Sequence, residues 1–168
     1  DAMPASLRHE WAALLDIKAE LKCRTKIEDY LDRGLGNCEL RDPRAAAAVE
    51  ENWLHFDGQD YRLLAWAVMP NHVHLLVEIW QKPMVGLLQG WKGFTARHIN
   101  RVLGRRGKLW QDDYCDRYIR DEAHYRKVVH YIESNPVKAG LAKTPEQWPF
   151  SSARFRDEYH RLKPPPKP

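Results

Sequence analysis

The chain has 168 residues, 43% of them hydrophobic, with 27 Lys and Arg against 23 Asp and Glu for a formal charge of +4. That length sustains one domain with an adequate core and argues against a second. No apolar run reaches the roughly 18 residues of a membrane-spanning helix, no basic-then-apolar leader pattern is present, and Cys23, Cys38 and Cys115 contain no CxxC pair. Membrane insertion, a disulfide scaffold and a zinc finger are therefore not expected, and the thiols read as reduced in a cytosolic protein.

In chain order, Pro4 to about Tyr30 reads as a helix, with Ser6 as a candidate cap and Trp11, Leu14, Leu15, Ile17 and Leu21 as its apolar stripe. Residues Arg33 to Asn37 form a Gly-containing loop. Asp42 is a good N-cap with Pro43 at the first helical position, and Ala45 to His55 continue a second helix. After the Asp57-Gly58 turn, strands Tyr61 to Met69 and His72 to Ile79 are expected to form an antiparallel hairpin about Pro70-Asn71. Val85 to about Leu103 reads as a third helix and Gly104 to Lys108 as a basic loop. Asp113 to Ile119 reads as another strand. Asp121 caps a fourth helix expected to end at Asn135, because Pro136 follows. From residue 151 the chain reads as an extended tail closing in Pro164-Pro165-Pro166.

Two pairs of residues carry candidate chemistry. Alternation along a strand puts His72 and His74 on one face, and helical spacing puts Tyr131 and Asn135 on another. Two imidazoles at that spacing can ligate a divalent ion, although strand histidines are also found in purely structural roles. Among ions suited to phosphate chemistry, manganese accepts imidazole more readily than magnesium does. A phenol beside such an ion is a candidate nucleophile, whereas alone in an apolar helix face it reads as core. The pI near 9.0 suits an anionic partner, nucleic acid being the commonest. Lys92, Arg97, Arg101, Arg105, Arg106 and Lys108, followed by Trp110, offer phosphate contacts and a stacking surface, or simply a solvated basic face.

The segment Ala67-Val68-Met69-Pro70-Asn71-His72-Val73-His74 resembles the signature of the IS200/IS605-type single-tyrosine transposases. Gly107-Lys108-Leu109-Trp110-Gln111, Asp116-Arg117-Tyr118-Ile119-Arg120 and Tyr131-Ile132-Glu133-Ser134-Asn135-Pro136-Val137-Lys138-Ala139-Gly140 extend the likeness to the REP-associated tyrosine transposases. The resemblance covers roughly residues 30 to 152. It implies an α+β, ferredoxin-like antiparallel sheet with helices packed on it, as a single catalytic domain over residues 1–150. It further implies metal-dependent cleavage and rejoining of single-stranded DNA beside a hairpin, through a 5′-phosphotyrosine at Tyr131. A divalent ion (Mg2+ or Mn2+) would be held by His72, His74 and Asn135. Insertion-sequence relatives carry a glutamine where Asn135 stands. Arg117 and Arg120 join Lys92, Arg97, Arg101, Arg105, Arg106, Lys108 and Trp110 as candidate DNA contacts. The partner implied is single-stranded DNA with palindromic elements, met in the cytoplasm at the nucleoid by a monomer or homodimer. A hairpin-binding protein that does not cut is the alternative. The family has a strand ahead of its first helix. That strand is expected to be missing from this chain, leaving sheet backbone groups unpaired.

Overall fold

The structure, a computed structural model, describes residues 36–80, 82–112 and 118–163. The helix expected over Pro4–Tyr30, with Cys23, Cys115, Arg117 and the Pro164–Pro166 run, lies outside the described residues. The strand expected over Asp113–Ile119 lies mostly outside them too, and Tyr118 and Ile119 are not in a strand.

A single turn of 3-10 helix at Glu39–Arg41 leads into α1, Pro43–Phe56. The Asp42 side chain accepts from the Arg44 amide at 2.9 Å, closing the first turn as its position predicts. Bonded to the Arg44 guanidinium as well, its carboxyl is held down to about 2. Strands β1 (Tyr61–Val68) and β2 (Val73–Ile79) form the expected antiparallel hairpin. Its turn is closed by Met69 N donating to His72 O at 2.9 Å, and Leu40 N braces it by donating to Pro70 O at 3.0 Å. Helix α2 spans Met84–Val102 and α3 spans Glu122–Lys138.

Helix α3 does not stop at Asn135. Pro136 sits inside it, lacking only its own N–H. The helix closes a turn later: Leu141 N donates to Pro136 O at 2.8 Å and Gly140 N to Val137 O at 3.0 Å, with Gly140 at φ 69°. This is the paired-bond stop that a left-handed glycine makes possible, and it satisfies the last carbonyls whatever lies upstream.

A bulge decides how the sheet uses its two faces. Leu63 pairs with Val77 and Ala65 with Leu76, so Leu64 is an extra residue that reverses the alternation of β1. On one face Tyr61, Leu63, Trp66 and Val68 pack with Trp53 of α1 and with Leu87, Trp91 and Ile99 of α2. On the other, Ala65, Ala67, Met69 and Leu76 pack with Ile132 of α3. Helices α1 and α2 thus cover one face, and α3 the opposite one.

The segment read as an extended tail is folded against β1 instead. Ser152–Phe155 form a 3-10 helix and Arg156 bridges to Leu162. The outward backbone groups of β1, expected to be unpaired, are largely covered by this segment. Val68 N donates to Phe150 O at 2.9 Å, Trp66 N to Ser152 Oγ at 3.0 Å, and Trp148 Nε1 to Val68 O at 3.0 Å. The bulged Leu64 carbonyl accepts from Arg156 Nη2 at 2.9 Å. The same guanidinium donates through Nε to Glu133 Oε1 of α3 at 2.7 Å, and Ser152 Oγ donates to that oxygen at 2.5 Å. The Arg156 and Glu133 side chains are only 10% and 11% exposed.

Removing one partner of such a pair strands the other charge away from water. Arg156→Met is expected to cost about 3 kcal/mol in urea denaturation. The double variant Glu133→Gln/Arg156→Met should lose clearly less than the two single losses added together. Strict additivity would show that the two side chains do not act as a unit.

Candidate active site

The residues singled out on β2 and α3 meet on the face covered by α3. His74 pairs across the sheet with Ala67, which faces α3, and this turns its ring towards that helix. His72, at the end of the hairpin turn, is buried, and its Nε2 lies 2.9 Å from His74 Nε2. From α3, Asn135 Nδ2 reaches the same His74 Nε2 at 2.8 Å, across 61 residues of sequence. Two imidazoles and one amide therefore converge at a point, as strand alternation and helical spacing predict.

Asn71 braces the first of these rings. Its Oδ1 is 2.8 Å from His72 Nδ1, and with the amide oxygen on that side it accepts the Nδ1 proton and leaves the Nε2 lone pair facing His74. Fixing the remote ring nitrogen in this way is how ligating histidines are generally oriented. Asn135 is fully buried, and its Oδ1 has no hydrogen-bond partner. A half-turn of the amide exchanges the two atoms and presents that oxygen to the imidazoles, an assignment that the surrounding contacts decide. Among the described residues no group of three or more His, Cys, Asp or Glu stands together. The Asn135 oxygen could serve an ion here as a donor beside the two imidazoles. Two neutral nitrogens and one oxygen suit manganese, and magnesium less well.

Tyr131 is half-buried one turn before Asn135. Its ring meets the His74 imidazole edge-on, with centroids 5.4 Å apart. Behind it the Lys138 ammonium lies 4.6 Å from the phenol ring centroid. Neither Asn71 nor Lys138 was singled out by pattern. Asn71 could have been suspected from its place directly before the first histidine. Lys138 lies seven residues beyond Tyr131, two turns along one helix face.

The basic stretch is not brought to this constellation. Lys92, Arg97 and Arg101 belong to α2, on the opposite face of the sheet. Several of its members are tied into structure. Lys92 Nζ donates to the carbonyls of Gln111 at 2.7 Å and Asp112 at 3.2 Å. Arg105 pairs with Glu39 at 3.1 Å, and Lys108 with Asp112, whose carboxyl it holds below the ordinary range. Trp110 is half-buried and donates through Nε1 to Thr95 Oγ1 at 2.8 Å, so its indole packs in the core cluster and is not an open stacking surface. Arg97, Arg101, Arg106 and Arg120 are exposed, and Arg117 lies outside the described residues. No helix among the described residues is long and apolar enough to cross a membrane.

Comparison with known proteins bears out the resemblance. Residues 53–135 match the family model described as "Transposase IS200 like". A REP-associated tyrosine transposase of Escherichia coli K12 is 33% identical over 98 residues, 55% of this chain and 54% of that protein. A Haemophilus influenzae protein carrying the same family name is 26% identical over 103 residues, 55% of this chain and 58% of its own length. The chain thus spans little more than half of these curated relatives. A solved structure of a REP-associated tyrosine transposase bound to a REP hairpin superposes with a TM-score of 0.55, at 23% identity, covering 71% of this chain and 70% of that one. The likeness confirms the α+β fold. The sheet resolves here, among the described residues, as the one hairpin.

The split within the basic stretch is open to a stability test. Trp110→Ala should cost about 3 kcal/mol and Arg105→Ala about 1–2 kcal/mol, whereas Arg97→Ala and Arg101→Ala should stay within about 0.5 kcal/mol of the parent. Chemical denaturation of the four variants checks this. A Trp110→Ala chain as stable as the parent would restore the tryptophan as a surface platform.

Proposed function

From the match of residues 53–135 to the IS200-like transposases, we propose that this chain carries the catalytic site of a REP-associated tyrosine transposase. It would act on single-stranded DNA beside a hairpin or palindrome. One observation supports this above the others. Tyr131 stands edge-on to His74 while His72, His74 and Asn135 converge on one point, with a buried amide oxygen left over.

In this reading the Tyr131 oxygen attacks the scissile phosphorus and loses its proton. The bond to the 3′ oxygen breaks, giving a 5′-phosphotyrosine and a free 3′-hydroxyl, and the reverse attack by a 3′-hydroxyl rejoins a strand. The phenol needs no loop to position it, because α3 carries it on a rigid helix anchored through Glu133 to Arg156. His72 Nε2, His74 Nε2 and Asn135 Oδ1 are the residues that would hold a Mg2+ or Mn2+ ion, whose contribution when bound is to polarise the phosphoryl oxygens and offset developing charge. Asn71 keeps the His72 lone pair directed inward, and burial keeps bulk water from His72 and Asn135.

A Tyr131→Phe variant incubated with labelled hairpin-flanked single-stranded DNA and manganese should give no covalent protein–DNA adduct on a denaturing gel. Adduct retained by the variant defeats the nucleophile assignment, and a parent chain that binds hairpins without adduct under any divalent ion would mark a non-cutting binder. Calorimetric titration with Mn2+ tests the donor set separately. His74→Ala should abolish binding, and Asn71→Ala should weaken it by about tenfold or more. Unchanged affinity in Asn71→Ala would remove it from the role of orienting His72.

A further inference from the structure

The cations singled out in the sequence and placed on α2 lie on the far face of the sheet from Tyr131. Tyr131 lies about two turns before the end of α3, which closes at Lys138 with Ala139 as its cap. The last turn of a helix favours a cation, and a lysine there is placed to reach back along the same face. A transferred phosphoryl group normally has a cation close to it.

Lys138 is the basic residue of that last turn. Its ammonium reaches back over the Tyr131 ring at 4.6 Å, while the same ring meets His74 edge-on at 5.4 Å. The phenol is thus flanked by an imidazole and by an ammonium. The lysine is itself exposed, and a lysine head is a compact point charge with three donors on a flexible stem. It can move from the ring face to a phosphate beside the phenol oxygen without disturbing packed structure.

We propose that Lys138 is a positioning residue that holds the scissile phosphate of single-stranded DNA against Tyr131. This rests on the reading of Tyr131 as nucleophile, and the experiment separates the two. Adduct formation by the parent chain, Lys138→Ala and Lys138→Arg is measured over a range of DNA and salt concentrations with manganese present, and each variant is first checked for parental stability. In Lys138→Ala the apparent KM for DNA should rise about tenfold, and the slope of log KM against log salt should fall by about one, the signature of one lost phosphate contact. Lys138→Arg should recover most of both effects. A KM in Lys138→Ala within twofold of the parent, an unchanged salt slope, or no recovery with arginine would each overturn the assignment while leaving the nucleophile in place. Absence of adduct from the parent chain itself would overturn the reading of the site and this assignment with it.

Discussion

One buried ion pair, Glu133 with Arg156, joins three parts of this fold that no local preference would bring together. Arg156 supplies a donor to the carbonyl exposed by the β1 bulge, and it neutralises a carboxylate on the inner side of α3. Ser152 completes the arrangement by accepting from Trp66 N and donating to the same carboxylate. Neither charge could be buried alone, since an unpaired ion away from water costs several kcal/mol. The bulge, the path of the C-terminal segment and the docking of α3 are therefore mutually dependent. Shift any one, and the other two are left with an unsatisfied polar group.

That dependence matters at the site because the two halves of the constellation come from different elements. His72 and His74 ride on the hairpin, and Tyr131 and Asn135 ride on α3. The bulge puts Ala65 and Ala67 opposite α3, and these small side chains let the helix approach closely enough for Asn135 to touch His74. Without the extra residue the alternation of β1 would run unbroken, and Ala65 and Ala67 would share the face of Tyr61 and Leu63, away from α3. Glu133 lies between Tyr131 and Asn135 on the same helix, so its anchor fixes the rotation of α3 on which both depend.

What could be read from the sequence was whatever depends on near neighbours. The hairpin, the Asp42 and Asp121 caps, and the shared faces of His72 with His74 and Tyr131 with Asn135 follow from periods of two and 3.6 and from turn chemistry. The bulge at Leu64 and the Glu133–Arg156 pair were not legible, because they are settled by contacts 23 and 92 residues apart. Pro136 misled for a specific reason. It disfavours helix in the residue before it, yet the glycine four residues later supplies the left-handed stop that closes the helix. Trp110 misled in the other direction, since its basic neighbours suggested a surface and Thr95 gives its indole a buried partner.

The arrangement at the histidines also carries an internal tension that distinguishes it from an ordinary buried polar cluster. The 2.9 Å contact between the two Nε2 atoms needs one proton between them, and a His72 with its proton on Nδ1 would draw that proton from His74. The Asn135 amide approaches that same nitrogen, and its oxygen is left without a partner in a fully buried residue. A core selected only for stability would resolve such a conflict with an apolar side chain or a second donor, since a half-satisfied polar network costs more than none. Unsatisfied groups of this kind are expected where a bound species completes the bonding. Any divalent cation bound there would compete with protons for the imidazole lone pairs, so its affinity would fall as the pH drops.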